Sequence, residues 1–354
     1  MKYEQITMFD GENKFINDKP IRLVELFAGY GSQALALKYL GIPFEQHCIS
    51  EWAVKSIQAY KDIHFAEDNM DYSKDLNASQ IKQWLLGRIS SDYNTPMTEQ
   101  QINRLSEQKA RTIFNNMQAT HNVGSITQIT ATDLNIVDTN KYTYIMTYSF
   151  PCQDLSLAGQ RKGMSKGNGT RSGLLWEVER LLCEMCGYMP HKVKPNGKIF
   201  SATPYVDWYS PADTTKLPQI LLMENVPQVH GTKNKQDFDK WCKTLEEMGY
   251  HNYWQDLNVK DFGIPQNRNR CFMISLLGDY NYSFPSKMEL QVRLKDFLDK
   301  QVDEKYYLSQ KAIIYIEKRL GKYTQICDNK TIFAKSAITS KGNQNWTGNF
   351  LKWS

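Results

Sequence analysis

Residues 21–41 read IRLVELFAGYGSQALALKYLG, and the order of residue types there decides the fold. The first nine, IRLVELFAG, are a short apolar run closed by a glycine, the pattern of a buried strand. Residues 32–41, SQALALKYLG, place apolar side chains at helical spacing and end on Gly41, which suits a helix terminus. Residues 46–52, QHCISEW, read as a second strand. Strand, glycine turn, helix and strand make the opening of a doubly wound, Rossmann-like α/β sheet.

The same rhythm returns further along. VGSITQI (123–129), KYTYIMTYSF (141–150), QILLMENV (219–226) and RCFMISLL (270–277) predict strands, and GLLWEVERLLCEM (173–185) and QDFDKWCKTLEEMG (236–249) predict helices. Two stretches interrupt it. Residues 66–120 are polar and helical and predict an insertion on the rim of the sheet. Residues 186–217, with four prolines, predict an irregular one. Past about residue 280 the rhythm weakens, and KYYLSQKAIIYIEKRLGKY (305–323) predicts one amphipathic helix.

The chain has 354 residues, 41% of them hydrophobic and 23% charged, which is ordinary for a soluble globular protein. No run approaches the ~18 apolar residues of a membrane span. The start, MKYEQITMFDGENKF, lacks the basic-then-apolar order of a secretory signal, so a cytoplasmic protein is expected. A net charge of +5 is compatible with nucleic acid but is also common among enzymes. Seven scattered cysteines argue against a disulfide framework. Cys183 and Cys186 form a CxxC with no second pair or histidine cluster at zinc spacing, so no metal is expected.

Four motifs carry chemistry. Gly29-x-Gly31-x-x-Ala34, after a strand and before a helix, lets backbone approach a ligand closely. Glu51, twenty residues on, can accept from both hydroxyls of a ribose, and Trp52 offers a flat face to adenine. These residues mark a nucleoside-cofactor site without separating NAD from S-adenosylmethionine. Cys152, in SFPCQDLSLAGQRKGM (149–164), is a soft nucleophile; Gly159–Gly173 after it holds five glycines, four Lys or Arg and no acid. That composition suits a loop closing over phosphates. Glu224 ends the apolar run LLMENV, at the strand edge where α/β sheets gather ligands, and partial burial there would raise its pKa. Arg268 and Arg270 alternate into a strand and so share a face; with Gln266 they can hold a carboxylate or phosphate.

In this order the four motifs resemble the DNA cytosine-5 methyltransferases. LFAGYGSQALALKYLG is similar to that family's cofactor loop, SFPCQDLSLAGQ to its nucleophile block, TRSGLLWEV to the next, MENV to its acid block and GIPQNRNRCFMI to its arginine block. The likeness covers residues 21–277, apart from the two insertions. It implies S-adenosyl-L-methionine as cofactor and duplex DNA as substrate. Cys152 would attack carbon 6 of a flipped cytosine, Glu224 would bind N3 and the exocyclic amine, and Arg268 and Arg270 would orient Glu224 or the base. Pro151 would shape the strand exit, with Asn225 and Gln266 supporting. Phe27, Ala28, Gly29, Gly31, Ser32, Glu51, Trp52, Ser125, Ile126 and Leu174 would line the cofactor. Gln153, Ser156, Arg161, Lys162 and Arg171 would meet DNA.

Two departures stand out. Ser125 occupies a position where the family usually has an aspartate facing the adenine amine. The family's last two blocks are not found before FLKWS, so residues 1–280 are expected to form the catalytic domain and 281–354 only the start of a target-recognition region. The expected partners are therefore DNA, a complementary subunit carrying those blocks and a cognate restriction endonuclease, with no membrane. The rival readings are a tRNA cytosine-5 methyltransferase, a subunit or remnant inactive alone, and an NAD-dependent oxidoreductase. The last leaves PCQ, ENV and QxRxR unexplained.

Overall fold

The computed structural model describes residues 15–155, 163–167, 169–186, 213–292 and most of 294–320. The chain divides into two compact units, 1–292 and 293–354. The described part of the first holds a six-stranded sheet with the order β2-β1-β3-β4-β6-β5. The strands are β1 (Ile21–Leu26), β2 (Phe44–Ser50), β3 (Thr143–Tyr148), β4 (Ile220–Asn225), β5 (Tyr250–Asn258) and β6 (Asn269–Leu277). β1 pairs in parallel with β2 and β3, and β3 with β4. β6 runs antiparallel to both its neighbours, β4 and β5. Strand order reverses between β1 and β3, and the crevice beyond their carboxyl ends is the place such sheets bind ligands.

Helix α1 (Ser32–Tyr39) follows β1 as its spacing predicts. It stops where Gly41 takes a positive φ of 67°, a conformation that favours glycine. The main core lies on one face of the sheet. Leu26, Met146, Tyr148, Leu221, Met223 and Met273 pack there with Leu175, Val178 and Leu181 of α6 (Leu175–Met185) and with Phe238, Trp241 and Leu245 of α7 (Lys235–Glu247). Trp241, fully buried, satisfies its indole N–H on the Tyr148 hydroxyl at 3.1 Å.

The 66–120 insertion is helical as expected. α2 (Val54–His64), α3 (Ala78–Leu85), α4 (Glu99–Asn103) and α5 (Glu107–Ala119) share a second core of Ile57, Ile81, Leu85, Ile102, Ile113, Phe114 and Met117. Asn77 with Gln80, and Thr98 with Gln101, form capping boxes that satisfy the first amides of α3 and α4.

Three expectations change. Residues 123–129 are not a strand: Asn122 makes one parallel bridge to Ile49, and Gly124, at φ +89°, turns the chain away. β5 was not anticipated, because YHNYWQDLN is a polar edge strand with weak alternation. In the second unit, α8 (Gln310–Leu320) begins after the non-helical residues 307–309, later than the predicted start at 305, and residues 321–323 lie outside the described residues. Most of the 186–217 insertion lies outside the described residues. No described helix is long and apolar enough to cross a membrane.

Candidate active site

The loop after β1 is built by backbone geometry. Phe27, Gly29 and Gly31 all have positive φ, 58°, 56° and 74°. At Phe27 that is a strained conformation for a bulky residue, of the kind held at ligand sites. A Cβ on Gly29 would meet nothing within 4 Å, so the backbone there faces open space. A Cβ on Gly31 would collide with the rings of His64 and Tyr60, so only glycine fits.

Glu51, directly after β2, binds this loop to its neighbour. Its Oε2 accepts from Gly29 N at 2.9 Å and its Oε1 from Ala53 N at 2.7 Å. Burial pushes its pKa up, against the opposing pull of those amides. Each oxygen keeps a further lone pair for a ribose hydroxyl. Asn122, which the sequence reading passed over, ties in the third loop. Its side chain accepts from Glu51 N and Gly124 N and donates to Glu51 O. Ser50 Oγ donates to Gly124 O at 2.8 Å. Behind these contacts Ala28, Ser125 and Ile126 are buried, and Ser125 Oγ lies 3.0 Å from Thr127 Oγ1. Trp52 and Leu174 are half-buried and Ser32 is exposed. The described donors and acceptors thus fit a nucleoside: open backbone at Gly29, a carboxylate one residue from an indole, and an apolar wall at Ile126.

The segment that carries Cys152 follows β3. Gln33 Nε2, on α1, donates to Ser149 Oγ at 3.2 Å and joins the cofactor loop to the chain that leads to Cys152. β3 and β4 are adjacent and parallel with Tyr148 opposite Met223, so Cys152 and Glu224 leave the sheet at the same edge. Asn225 secures the junction by donating from Nδ2 to Phe150 O at 3.0 Å. Cys152 is half-buried. Burial pushes the thiols of Cys48, Cys183, Cys242 and Cys271 up to about 12 and that of Cys186 to about 11. The CxxC cysteines are core residues.

Glu224 Oε1 sits 3.0 Å from Arg270 Nε and 3.5 Å from an Arg268 terminal nitrogen. The register explains the grip: Glu224 pairs with Phe272 across β4 and β6, and Arg270 is two residues further on the same face. The turn after Glu224 is anchored in turn by His230, whose Nε2 lies 2.9 Å from Asp256 Oδ1 on β5. The Cys271 thiol is close by. No spacing along the chain could have announced that cluster, because three separate segments form it.

Of the residues expected to meet DNA, Gln153 and Arg171 are exposed, and Ser156, Arg161 and Lys162 lie outside the described residues. Lys166, counted among the basic residues of that loop, is instead ion-paired with the buried Glu179 and lies 5.4 Å above the Trp176 ring. Pro151 is half-buried and Gln266 exposed.

The glycine-built loop with Glu51, the segment bearing Cys152 and the arginine-held Glu224 share one edge of a doubly wound sheet, the edge at which such sheets bind ligands. The sequence profile of the C-5 cytosine-specific DNA methylases matches residues 95–189 and 212–351. The type II methyltransferase M2.ScrFI of Lactococcus lactis subsp. cremoris is 34% identical over 346 residues, covering 94% of this chain and 78% of that protein. The orphan methyltransferase M.SssI of Spiroplasma monobiae is 33% identical over 300 residues, covering 84% and 69%. Among solved structures, an Entamoeba histolytica methyltransferase, EhMeth, aligns with a TM-score of 0.48 at 15% identity, covering 86% of this chain and 67% of that one. The chain belongs to the C-5 cytosine-specific DNA methylase family.

Proposed function

We propose that this chain moves a methyl group from S-adenosyl-L-methionine to carbon 5 of a cytosine flipped out of duplex DNA, through a covalent bond between Cys152 and carbon 6. Carbon 5 of cytosine is a weak nucleophile. Addition of the Cys152 thiolate to carbon 6 breaks the ring's aromaticity and makes carbon 5 enamine-like. One Glu224 oxygen accepts from the exocyclic amine, and the other shares a proton with N3, which steadies the charge gathering on the ring. Arg270, with Arg268, keeps Glu224 in that orientation. The cofactor, when bound, supplies an electrophilic methyl group. After transfer, loss of the carbon 5 proton and expulsion of Cys152 restore the aromatic ring and free the thiolate. Flipping the base costs a few kcal/mol, and contacts of Gln153 and Arg171, both exposed, to the DNA backbone would offset it.

Phe27, Gly29, Glu51, Trp52 and Ile126 would hold the adenosine, with Ser125 taking a lesser part because its hydroxyl already meets Thr127. The observation that carries the reading is the Glu224–Arg270 pair at the strand edge that Asn225 ties to the Cys152 segment. The named relatives include a type II and an orphan methyltransferase; a cognate restriction endonuclease is a candidate system partner of this chain. A complementary subunit bearing the family's last two blocks is a further candidate partner. Incubation of the chain with labelled cofactor and either duplex DNA or tRNA tests the reading. Label in DNA at carbon 5, absent with Cys152→Ala, is expected; label confined to tRNA would replace the substrate. Bisulfite sequencing of host DNA, with and without the neighbouring reading frame, would give the target and the need for a partner.

A further inference from the structure

We propose that Ser172 and Asp154 are positioning residues for the nucleophile, closing a reciprocal latch across the chain that separates them. The inference rests on the reaction assigned to Cys152. Attack on a ring carbon requires the sulfur to be held in a near-attack position, and an error of about 1 Å can cost ~10²-fold in rate. Three consecutive carbonyls around Cys152 are each hydrogen-bonded. Phe150 O accepts from Asn225 Nδ2 at 3.0 Å, Pro151 O from Ser172 Oγ at 2.7 Å, and Cys152 O from Leu155 N at 3.0 Å. The middle bond comes from twenty-one residues downstream.

The returning half of the latch is Asp154. Its Oδ2 accepts from Arg171 N at 2.8 Å and from Ser172 N at 3.4 Å. Its own carbonyl accepts from Gly163 N at 3.1 Å. The turn that bears the nucleophile therefore holds the amides of 171–172, and the hydroxyl of 172 holds the carbonyl just before the nucleophile. Ser172 is fully buried and Asp154 is 7% exposed, so water does not compete freely for these bonds. Thr170 tightens the same junction, with Oγ1 donating to Gly163 O at 2.9 Å and accepting from Gly173 N at 3.1 Å. A carboxylate at the start of the helical run Ser172–Met185 also acts as a cap. A cap alone would stabilise the fold without affecting the speed of attack, and that difference can be measured.

The full-length chain and its Ser172→Ala, Asp154→Ala and Asp154→Asn variants are mixed with S-adenosylmethionine and a mixed-sequence duplex in which 5-fluorocytosine replaces cytosine. The rate of covalent complex formation is read on denaturing gels. Binding of S-adenosylhomocysteine and thermal melting are measured in parallel. Ser172→Ala and Asp154→Ala are expected to slow trapping by ~10- to 100-fold with the product analogue bound as before. Asp154→Asn, whose amide oxygen still accepts both N–H groups, is expected to recover to within about 3-fold of wild type. Folded Ser172→Ala that traps at the wild-type rate overturns the latch, as does an Asp154→Asn loss equal to that of Asp154→Ala. Ser172→Ala removes a single oxygen, so it decides the matter should Asp154→Ala not fold. A wild-type chain that never traps, alone or with the product of the neighbouring reading frame, refutes the reaction itself, and the latch with it.

Discussion

Two glutamates stand on the same sheet edge, and they are held by different means. Glu51, after β2, is half-buried like its counterpart but gripped by backbone amides of two loops. Glu224, at the end of β4, is half-buried and gripped by the ends of two arginine side chains. Backbone donors move only if the loops move, so the cofactor side is set once the chain folds. Arginine side chains have several rotatable bonds, so the base side can adjust when a ring arrives. Substitutions should therefore break the two sides in different ways: the base side through rate, the cofactor side through affinity and loop order.

The largest effect belongs to the base side. Cys152→Ala should lower methyl transfer by ~10⁴-fold or more, since the adduct has no substitute nucleophile. Binding of S-adenosylhomocysteine, measured by calorimetry, should stay within a few-fold. A large loss of cofactor affinity would show that the two sides are one unit and end the contrast. Glu224→Gln should follow at ~10²–10³-fold in the rate of methyl transfer, because the carboxamide keeps the shape and loses the charge and the shared proton. Arg270→Ala should cost more than Arg268→Ala, as Arg270 is nearer to Glu224 and 22% exposed where Arg268 is 46% exposed. Equal single-turnover rates for the two arginine variants would mean that orientation of Glu224 is not their task.

The cofactor side gives smaller numbers. Glu51→Gln should weaken S-adenosylhomocysteine binding by ~10-fold, because one carboxylate oxygen becomes an amine facing an N–H donor. Single-turnover rate at saturating cofactor should change little. A fall in rate with affinity intact would put Glu51 in the same functional class as Glu224.

What could be read from the sequence follows the same division. The glycine turn, Glu51 at a strand end, Cys152 after a strand exit and the alternating Arg268 and Arg270 are local patterns, and local patterns survive in one dimension. Strand-end position also put Glu224 at the ligand edge of the sheet, where β3, whose chain leads on to Cys152, ends too. The misses are non-local or conformational. Residues 123–129 look apolar enough for a strand, but Gly124 takes a positive φ and packs where a Cβ would meet Arg88, and the segment turns after one bridge. β5 is stabilised by nine register pairs with β6 rather than by its own alternation. Asn122, Asp154 and Ser172 are ordinary polar residues in sequence; their importance comes from partners that only the fold supplies.

The smallest expected effect concerns a third acid, Glu25, beneath the cofactor loop. It is fully buried, with Oε1 accepting from Ala34 N at 3.2 Å and Oε2 from the Tyr60 hydroxyl at 2.5 Å. Burial raises its pKa from 4.5 to about 7, and the hydrogen bonds from Tyr60 and Ala34 pull the other way without cancelling it. Between those two values the folded state keeps a proton that the unfolded chain has released. Stability from this group is thus complete below about 4.5 and is lost as the pH rises through about 7. Urea unfolding at pH 5, 6 and 7 should show wild type losing stability relative to Glu25→Gln, by at most ~1.4 kcal/mol per pH unit. A constant difference across that range would mean that Glu25 holds one charge state throughout. The base of the cofactor loop would then keep its charge through that range, and the cofactor side of the comparison would rest on backbone amides alone rather than on a buried acid that takes up a proton.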